Sequence, residues 1–155
     1  MDRKDFIKTC GLACMGSIGI IGGLQGCSTT GFLDGSGEML EGKIIGDDLV
    51  VQLSDFDIKK GKSKDFRRYI VVQNEILKYP VCVYRFSAME YTALWMRCTH
   101  QGTELQVFGN QLQCPAHGSE FTNKGNVQNG PAENKLRTFP VTIDNKHLKI
   151  SLKAA

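Results

Sequence analysis

The sequence predicts an all-β body, an antiparallel sandwich or barrel, with an inserted, loop-built site between about residues 93 and 140. Three observations carry this. Apolar residues recur with period two in segments such as "VCVYRF" (81 to 86) and "KHLKISL" (146 to 152), the spacing of strands. Seventeen glycines against a single tryptophan in 155 residues mark a turn-rich chain. Two short runs, "CTHQGTEL" (98 to 105) and "CPAHGSEF" (114 to 121), each set one cysteine and one histidine beside a glycine, as tight loops do. The length suits one modest domain. A net charge of +3, with no basic cluster interleaved with aromatics, gives no reason to expect a nucleic-acid partner.

The first thirty residues differ in composition from the rest. In "MDRKDFIKTCGLACMGSIGIIGGLQGCSTT" a charged start leads into an apolar, small-residue stretch from about Cys10 to Leu24, too short to span a membrane comfortably as a helix. Gly16, Gly19, Gly22 and Gly23 would each weaken a helix by about 1 kcal/mol. "DRKDFIK" (2 to 8) resembles a twin-arginine export signal with Lys4 in place of the second arginine. "LQGC" (24 to 27) resembles a bacterial lipobox, in which the cysteine is lipidated and becomes the first mature residue. Residues 1–26 are therefore expected to be a signal peptide and Cys27 the lipidation site. Residues 27–42, rich in Gly, Ser and Thr, are expected to tether a domain spanning 43–155 to a membrane of the cell envelope. Cys10 and Cys14 would leave with the signal. The mature chain then keeps Cys82, Cys98 and Cys114 besides Cys27, too few for a disulfide framework.

Along the domain, "KIIGDDLVVQLSDF" (43 to 56) predicts one or two short strands. "KKGKSKDFRR" (59 to 68) predicts a solvated loop, and "RRYIVVQN" (67 to 74) another strand. "VCVYRF" would place Cys82, Tyr84 and Phe86 on one face, making Cys82 a buried small hydrophobe. "YTALWMRC" (91 to 98) runs as a strand into the first Cys/His pair. "ELQVFGNQLQC" (104 to 114) predicts a hairpin turning at Gly109-Asn110, which brings residues near 100 and 114 side by side. "KGNVQNGPAENK" (124 to 135) reads as loop and "LRTFPVTID" (136 to 144) as a strand. "KHLKISL" reads as a closing strand with Leu148, Ile150 and Leu152 on one face and His147 as an ordinary surface residue.

Thiolate and imidazole together suit zinc, iron, copper and iron–sulfur clusters, so donor type alone leaves the metal open. The spacing Cys98-x-His100 and Cys114-x-x-His117 puts each pair in a tight turn. Gly102 and Gly118 permit those turns, Pro115 restricts the second, and Ser119 sets a hydroxyl beside a donor. With "GNVQNGPA" (125 to 132), these runs resemble the two cluster-binding loops and the proline loop of the Rieske iron–sulfur family, over most of residues 80 to 152. The resemblance implies a 2Fe-2S cluster with Cys98 and Cys114 on the inner iron, His100 and His117 on the outer, and Gly130-Pro131-Ala132 covering its side. Neutral imidazoles in place of two thiolates reduce the negative charge on the site and raise the potential to roughly −150 to +300 mV. Oxidation makes coordinated imidazole more acidic, which suits a quinol, a donor of both electrons and protons.

Two departures matter. Rieske proteins of cytochrome bc complexes usually join the loops by a disulfide between positions occupied here by Thr103 and Ala116. They also tend to carry a tyrosine where this chain has Phe121, its hydroxyl bonding a cluster cysteine. Ser119 is kept, able to donate to a bridging sulfide. The resemblance thus implies a membrane-anchored one-electron carrier passing electrons from a quinol, or a quinol-oxidising membrane subunit, to an acceptor such as a cytochrome. The alternative within the family is a Rieske ferredoxin feeding an oxygenase. A full oxygenase is excluded because its mononuclear iron needs two further histidines and only His147 remains. Outside the family, Cys2His2 is also a zinc set, and a domain that binds nothing and serves as an interaction module is a third reading. No nucleophile with a base, paired carboxylates or phosphate-binding glycine loop appears, so no independent catalytic site is expected.

Overall fold

The computed structural model describes residues 38–60 and 63–153, and the expected signal peptide, Cys27 and the tether up to residue 37 lie outside them. The strands in chain order are β1 (Met39–Glu41), β2 (Lys43–Ile45), β3 (Asp48–Gln52), β4 (Asp57–Lys60), β5 (Ser63–Phe66), β6 (Tyr69–Gln73), β7 (Val81–Arg85) and β8 (Tyr91–Trp95). They continue with β9 (Gln106–Phe108), β10 (Gln111–Gln113), β11 (Glu120–Thr122), β12 (Val127–Asn129), β13 (Thr138–Phe139), β14 (Val141–Asp144) and β15 (His147–Ser151). One turn of 3-10 helix, Leu53–Phe56, separates β3 from β4. The all-β expectation holds. Every pairing is antiparallel except β1 with β6, which is parallel.

A five-stranded sheet, ordered β1-β6-β7-β8-β13, forms the middle of the body. Alternation sends Tyr69, Val71, Cys82, Tyr84 and Leu94 into one buried cluster and Ile70, Val72, Val81, Val83 and Ala93 into another. The second cluster is completed by Leu49 and Val51 of β3 and Leu148 and Ile150 of β15, from a four-stranded sheet ordered β14-β15-β3-β2. The first is completed by Met96, Leu105, Leu112, Phe121 and Leu136, around the small sheet β12-β11-β10-β9 that follows the first Cys/His pair. With each fully buried side chain of this size contributing about 1.5–3 kcal/mol, the middle sheet is stabilised from both faces.

This two-sided burial corrects one expectation. Cys82 and Tyr84 do share a face, but Val81 and Val83 opposite them are buried too, and Phe86 lies beyond β7, 37% exposed. Three boundaries also differ. Residues 59–68 are not a plain loop: β4 and β5 pair from Asp57↔Phe66 to Lys60↔Ser63, and the Arg85 guanidinium stacks 3.8 Å over the Phe66 ring. Residues 124–135 contain β12, which pairs with β11 across a bulge. Residues 136–144 are two strands in different sheets, because Pro140, with no N–H to donate, ends β13 before β14 begins. Ordered structure also reaches into the segment read as tether, since β1 pairs with β6.

Burial pushes the Cys82 thiol far above the usual thiol range, and a hydrogen bond with Tyr84 offsets this only in part. The neutral thiol is not a nucleophile. Iodoacetamide at pH 8 should therefore leave Cys82 unmodified in the native protein and label it once the chain is denatured, as read by mass spectrometry. Labelling at equal rates in both states would contradict the packing.

Candidate metal centre

The β9–β10 hairpin turns at Gly109 and Asn110, as expected, with Gln106↔Gln113 as its last pair. Because the first Cys/His run leads into β9 and β10 leads into the second, this hairpin carries the two runs to the same end of the small sheet. Each run folds into the same turn. Cys98 N–H donates to Thr103 C=O at 2.8 Å, and Gly102 N–H to Cys98 C=O at 2.9 Å. Cys114 N–H donates to Ser119 C=O at 2.8 Å, and Gly118 N–H to Cys114 C=O at 3.0 Å. Gly102 and Gly118 both sit at φ +76°, a left-handed conformation that glycine adopts without Cβ strain. "CTHQGT" and "CPAHGS" are thus two copies of one turn, cysteine first, glycine fifth, hydroxyl residue sixth.

The turns aim backbone N–H groups at sulfur. The N–H groups of His100 and Gln101 face the Cys98 sulfur, and those of Ala116 and His117 face that of Cys114. The thiols themselves are in hydrogen-bond contact. Burial and the neighbouring Cys114 hold the Cys98 thiol above the usual range, against the pull of its N–H donors. Burial acts on Cys114 the same way, but donation from Ala116, Cys98, His117 and the Thr103 hydroxyl outweighs it and leaves that thiol below the usual range.

Cys98 and Cys114 are 1% and 3% exposed, whereas His100 and His117 stand in the open, their rings edge to face at 5.1 Å between centroids. The donors are sorted, sulfur inside and nitrogen outside. Among the described residues no three His, Cys, Asp or Glu side chains converge on one point as ligands to a single ion would. The donor set fits a group with two metal positions, one facing buried thiolates and one facing exposed imidazoles.

The third segment closes the side of this site. Ser119 is fully buried, and its Oγ accepts the Ala132 N–H at 3.0 Å. The Thr99 hydroxyl donates to Asn134 C=O at 2.6 Å, so residues 132–134 are tied to both turns. Tyr79 donates to Gly102 C=O, and Arg97 lies against Gly102, its Nε 3.2 Å from where a Cβ would stand. Sequence reasoning missed Tyr79, Arg97 and Thr99, whose contacts are long-range or main-chain and leave no spacing to read. It marked Thr103 only for a missing cysteine, although the repeated Gly-Thr and Gly-Ser could have shown its equivalence to Ser119. His147, exposed on β15, takes no part.

A family model described as Rieske [2Fe-2S] domain matches residues 56–140. The cytochrome b6-f complex iron-sulfur subunit 2 of Nostoc sp. strain PCC 7120 is 36% identical over 56 residues, 35% of this chain and 32% of that protein. Subunit 1 of Synechocystis sp. strain PCC 6803 is 38% identical over 56 residues, 35% of this chain and 32% of that one. The match thus spans about a third of the curated relatives. Among solved structures, the plasma membrane Rieske protein PetC3 of Synechocystis PCC 6803 aligns with a TM-score of 0.48 at 26% identity, covering 54% of this chain and 86% of that one. The Sphingomonas yanoikuyae B1 ferredoxin aligns at 0.43 and 26%, covering 54% and 84%.

Replacing Ser119 by alanine leaves the buried Ala132 N–H without its acceptor. Ser119→Ala should destabilise the fold by about 1–3 kcal/mol, measured by chemical unfolding. A variant as stable as the parent would mean that the Ser119–Ala132 bond does not hold the third segment.

Proposed function

From the premise that the chain belongs to the Rieske [2Fe-2S] family and carries electrons on a Rieske-type cluster, we propose that Cys98 and Cys114 hold the inner iron and His100 and His117 the outer. The observation that carries this reading is the sorting of donors by burial across two equivalent turns. Bound there, the cluster takes up and releases one electron. The chain's own part is to set the energy of that exchange and the place where it occurs. Hydrogen bonds to sulfur stabilise the more negative, reduced form, and the N–H groups of His100, Gln101, Ala116 and His117 are already aimed. Burial of the thiol side keeps water from it, while the exposed imidazoles form the face on which a partner docks. The same sorting disfavours a structural zinc site, whose four donors would converge on one ion.

The biological reading is a lipid-anchored carrier at a membrane of the cell envelope, with residues 1–26 as an export signal, Cys27 lipidated and residues 43–155 as the Rieske domain. It takes electrons from a quinol, or from a quinol-oxidising membrane subunit, and passes them to an acceptor such as a cytochrome. The curated relatives, named as iron-sulfur subunits of cytochrome b6-f complexes, support this reading. The pairing of Thr103 with Ala116, which cannot form a cross-loop disulfide, favours a second reading, a ferredoxin serving an oxygenase. Mass spectrometry of the protein from its native membrane separates them, because diacylated Cys27 supports the first and an unprocessed, soluble chain the second.

Phe121, fully buried, offers no hydroxyl to a cluster sulfur. The midpoint should therefore lie in the lower or middle part of the window of roughly −150 to +300 mV, in the range of a low-potential quinone such as menaquinone. A redox titration followed in the visible spectrum checks this. A midpoint near the top of the window would overturn the hydrogen-bond account, and a colourless protein would overturn the cluster assignment. Ser119→Ala should lower the midpoint further, and an unchanged value would mean that its hydroxyl does not face the cluster.

A further inference from the structure

The two Cys/His turns are equivalent in their backbone and differ in how their glycines are held. Gly102 and Gly118 share a φ of +76°, and each donates its N–H to the C=O of the cysteine that opens its own turn. Around Gly118 the space is open: it is exposed, and no atom beyond its chain neighbours stands within 4 Å of where a Cβ would be. Gly102 is enclosed. Its C=O accepts the Tyr79 hydroxyl at 2.5 Å, and Nε and Nη2 of Arg97 lie 3.2 Å from its Cβ position. Both side chains lean on Trp95, Tyr79 edge to face at 5.4 Å between centroids and Arg97 with its Cζ 5.7 Å from the indole centroid. The strands set this up. Val81 pairs with Trp95 across β7 and β8, so Tyr79, two residues before Val81, comes diagonally beside the indole. Alternation beyond β8 sends Met96 and Cys98 into the buried cluster and leaves Arg97 on the side of Trp95. Pro80 favours an extended backbone at Tyr79, and its C=O accepts the Met96 N–H at 3.0 Å.

Resting on the cluster reading above, we propose that Tyr79 is a positioning residue for the cluster: braced by Trp95, its hydroxyl pins the first turn to the middle sheet and keeps Cys98 and His100 in place opposite the second turn. The two turns are joined by no disulfide, since all three described cysteines are free, so each needs its own tie to the surrounding structure. The second turn has Ser119, whose Oγ accepts the Ala132 N–H inside the core. In the first turn the Thr99 hydroxyl bonds Asn134 at the surface, which links one loop to another, whereas Tyr79 reaches the turn from the residue before Pro80 and β7. Its bond falls on the glycine whose N–H closes the turn onto Cys98, so loss of the hydroxyl loosens the segment that carries both donors of that turn.

Tyr79→Phe keeps the ring and its edge contact with Trp95 and removes only the hydroxyl. The loaded parent and variant are compared by amide hydrogen exchange, read by mass spectrometry on peptides covering residues 98–105 and 114–121. Exchange in the first peptide should rise about two- to tenfold, the worth of one hydrogen bond, and stay unchanged in the second. Equal rates in parent and variant, or the same rise in both peptides, would overturn the inference. A spectroscopic signature accompanies it: in the reduced, nitrogen-15-labelled protein, the coupling of the His100 nitrogen should broaden or shift while that of His117 stays as in the parent. Couplings indifferent to the substitution, or altered alike in both histidines, would count against Tyr79 as a positioning residue. Should the phenylalanine chain take up no cluster, both full chains are compared by exchange before loading, where faster exchange confined to residues 98–105 supports the tie and equal exchange overturns it. A parent without a cluster spectrum removes the functional reading itself, whereas a loaded parent with an indifferent Tyr79 variant removes this inference alone.

Discussion

Two sulfur atoms held side by side, nearly out of reach of water, set the terms for the rest of this molecule. A buried thiolate is costly unless hydrogen bonds or a cation take up its charge. Here each sulfur faces two N–H groups from its own turn, and the histidines of the same two turns stand exposed, edge to face. Such a site favours cationic metal. The left-handed glycines and the hairpin turning at Gly109 follow from it, because they alone let two short turns present their N–H groups to adjacent sulfurs.

The middle sheet serves the same end from below. By burying both faces of β6, β7 and β8, it gives the small sheet beside the two Cys/His turns a fixed floor in Tyr69, Cys82, Tyr84 and Leu94, separate from the core formed with β3 and β15. Residues 132–134 then close the side, one bond to each turn. An electron carrier benefits from this rigidity, since a site that changes little on gaining an electron requires little reorganisation.

Local patterns made much of this legible. The hairpin was visible in Gly109-Asn110, the burial of Cys82 in the alternation of "VCVYRF", and the donor set in two Cys/His pairs. What stayed hidden was long-range or held by the backbone. Thr99 bonds a carbonyl 35 residues away and Tyr79 one 23 residues away, contacts that no spacing encodes. The β4–β5 hairpin was obscured by its charges, which say nothing about backbone pairing. Pro140 was read within a strand, although it marks the step from one sheet to another. The second core was present in the sequence but not read, since Val81 and Val83 make β7 apolar on both faces, the pattern of a strand buried on both sides.

The division of ligands between two irons is the claim on which all else rests, and it has a direct measurement. The protein is loaded, its histidines labelled with nitrogen-15, and the reduced form is studied by electron–nuclear double resonance alongside iron and acid-labile sulfide analysis. The account predicts a two-iron, two-sulfide cluster in which two histidine nitrogens couple to the unpaired electron, with one coupling lost in each of His100→Ala and His117→Ala that retains a cluster. A single metal ion without sulfide, or a cluster showing no histidine nitrogen coupling, would contradict it.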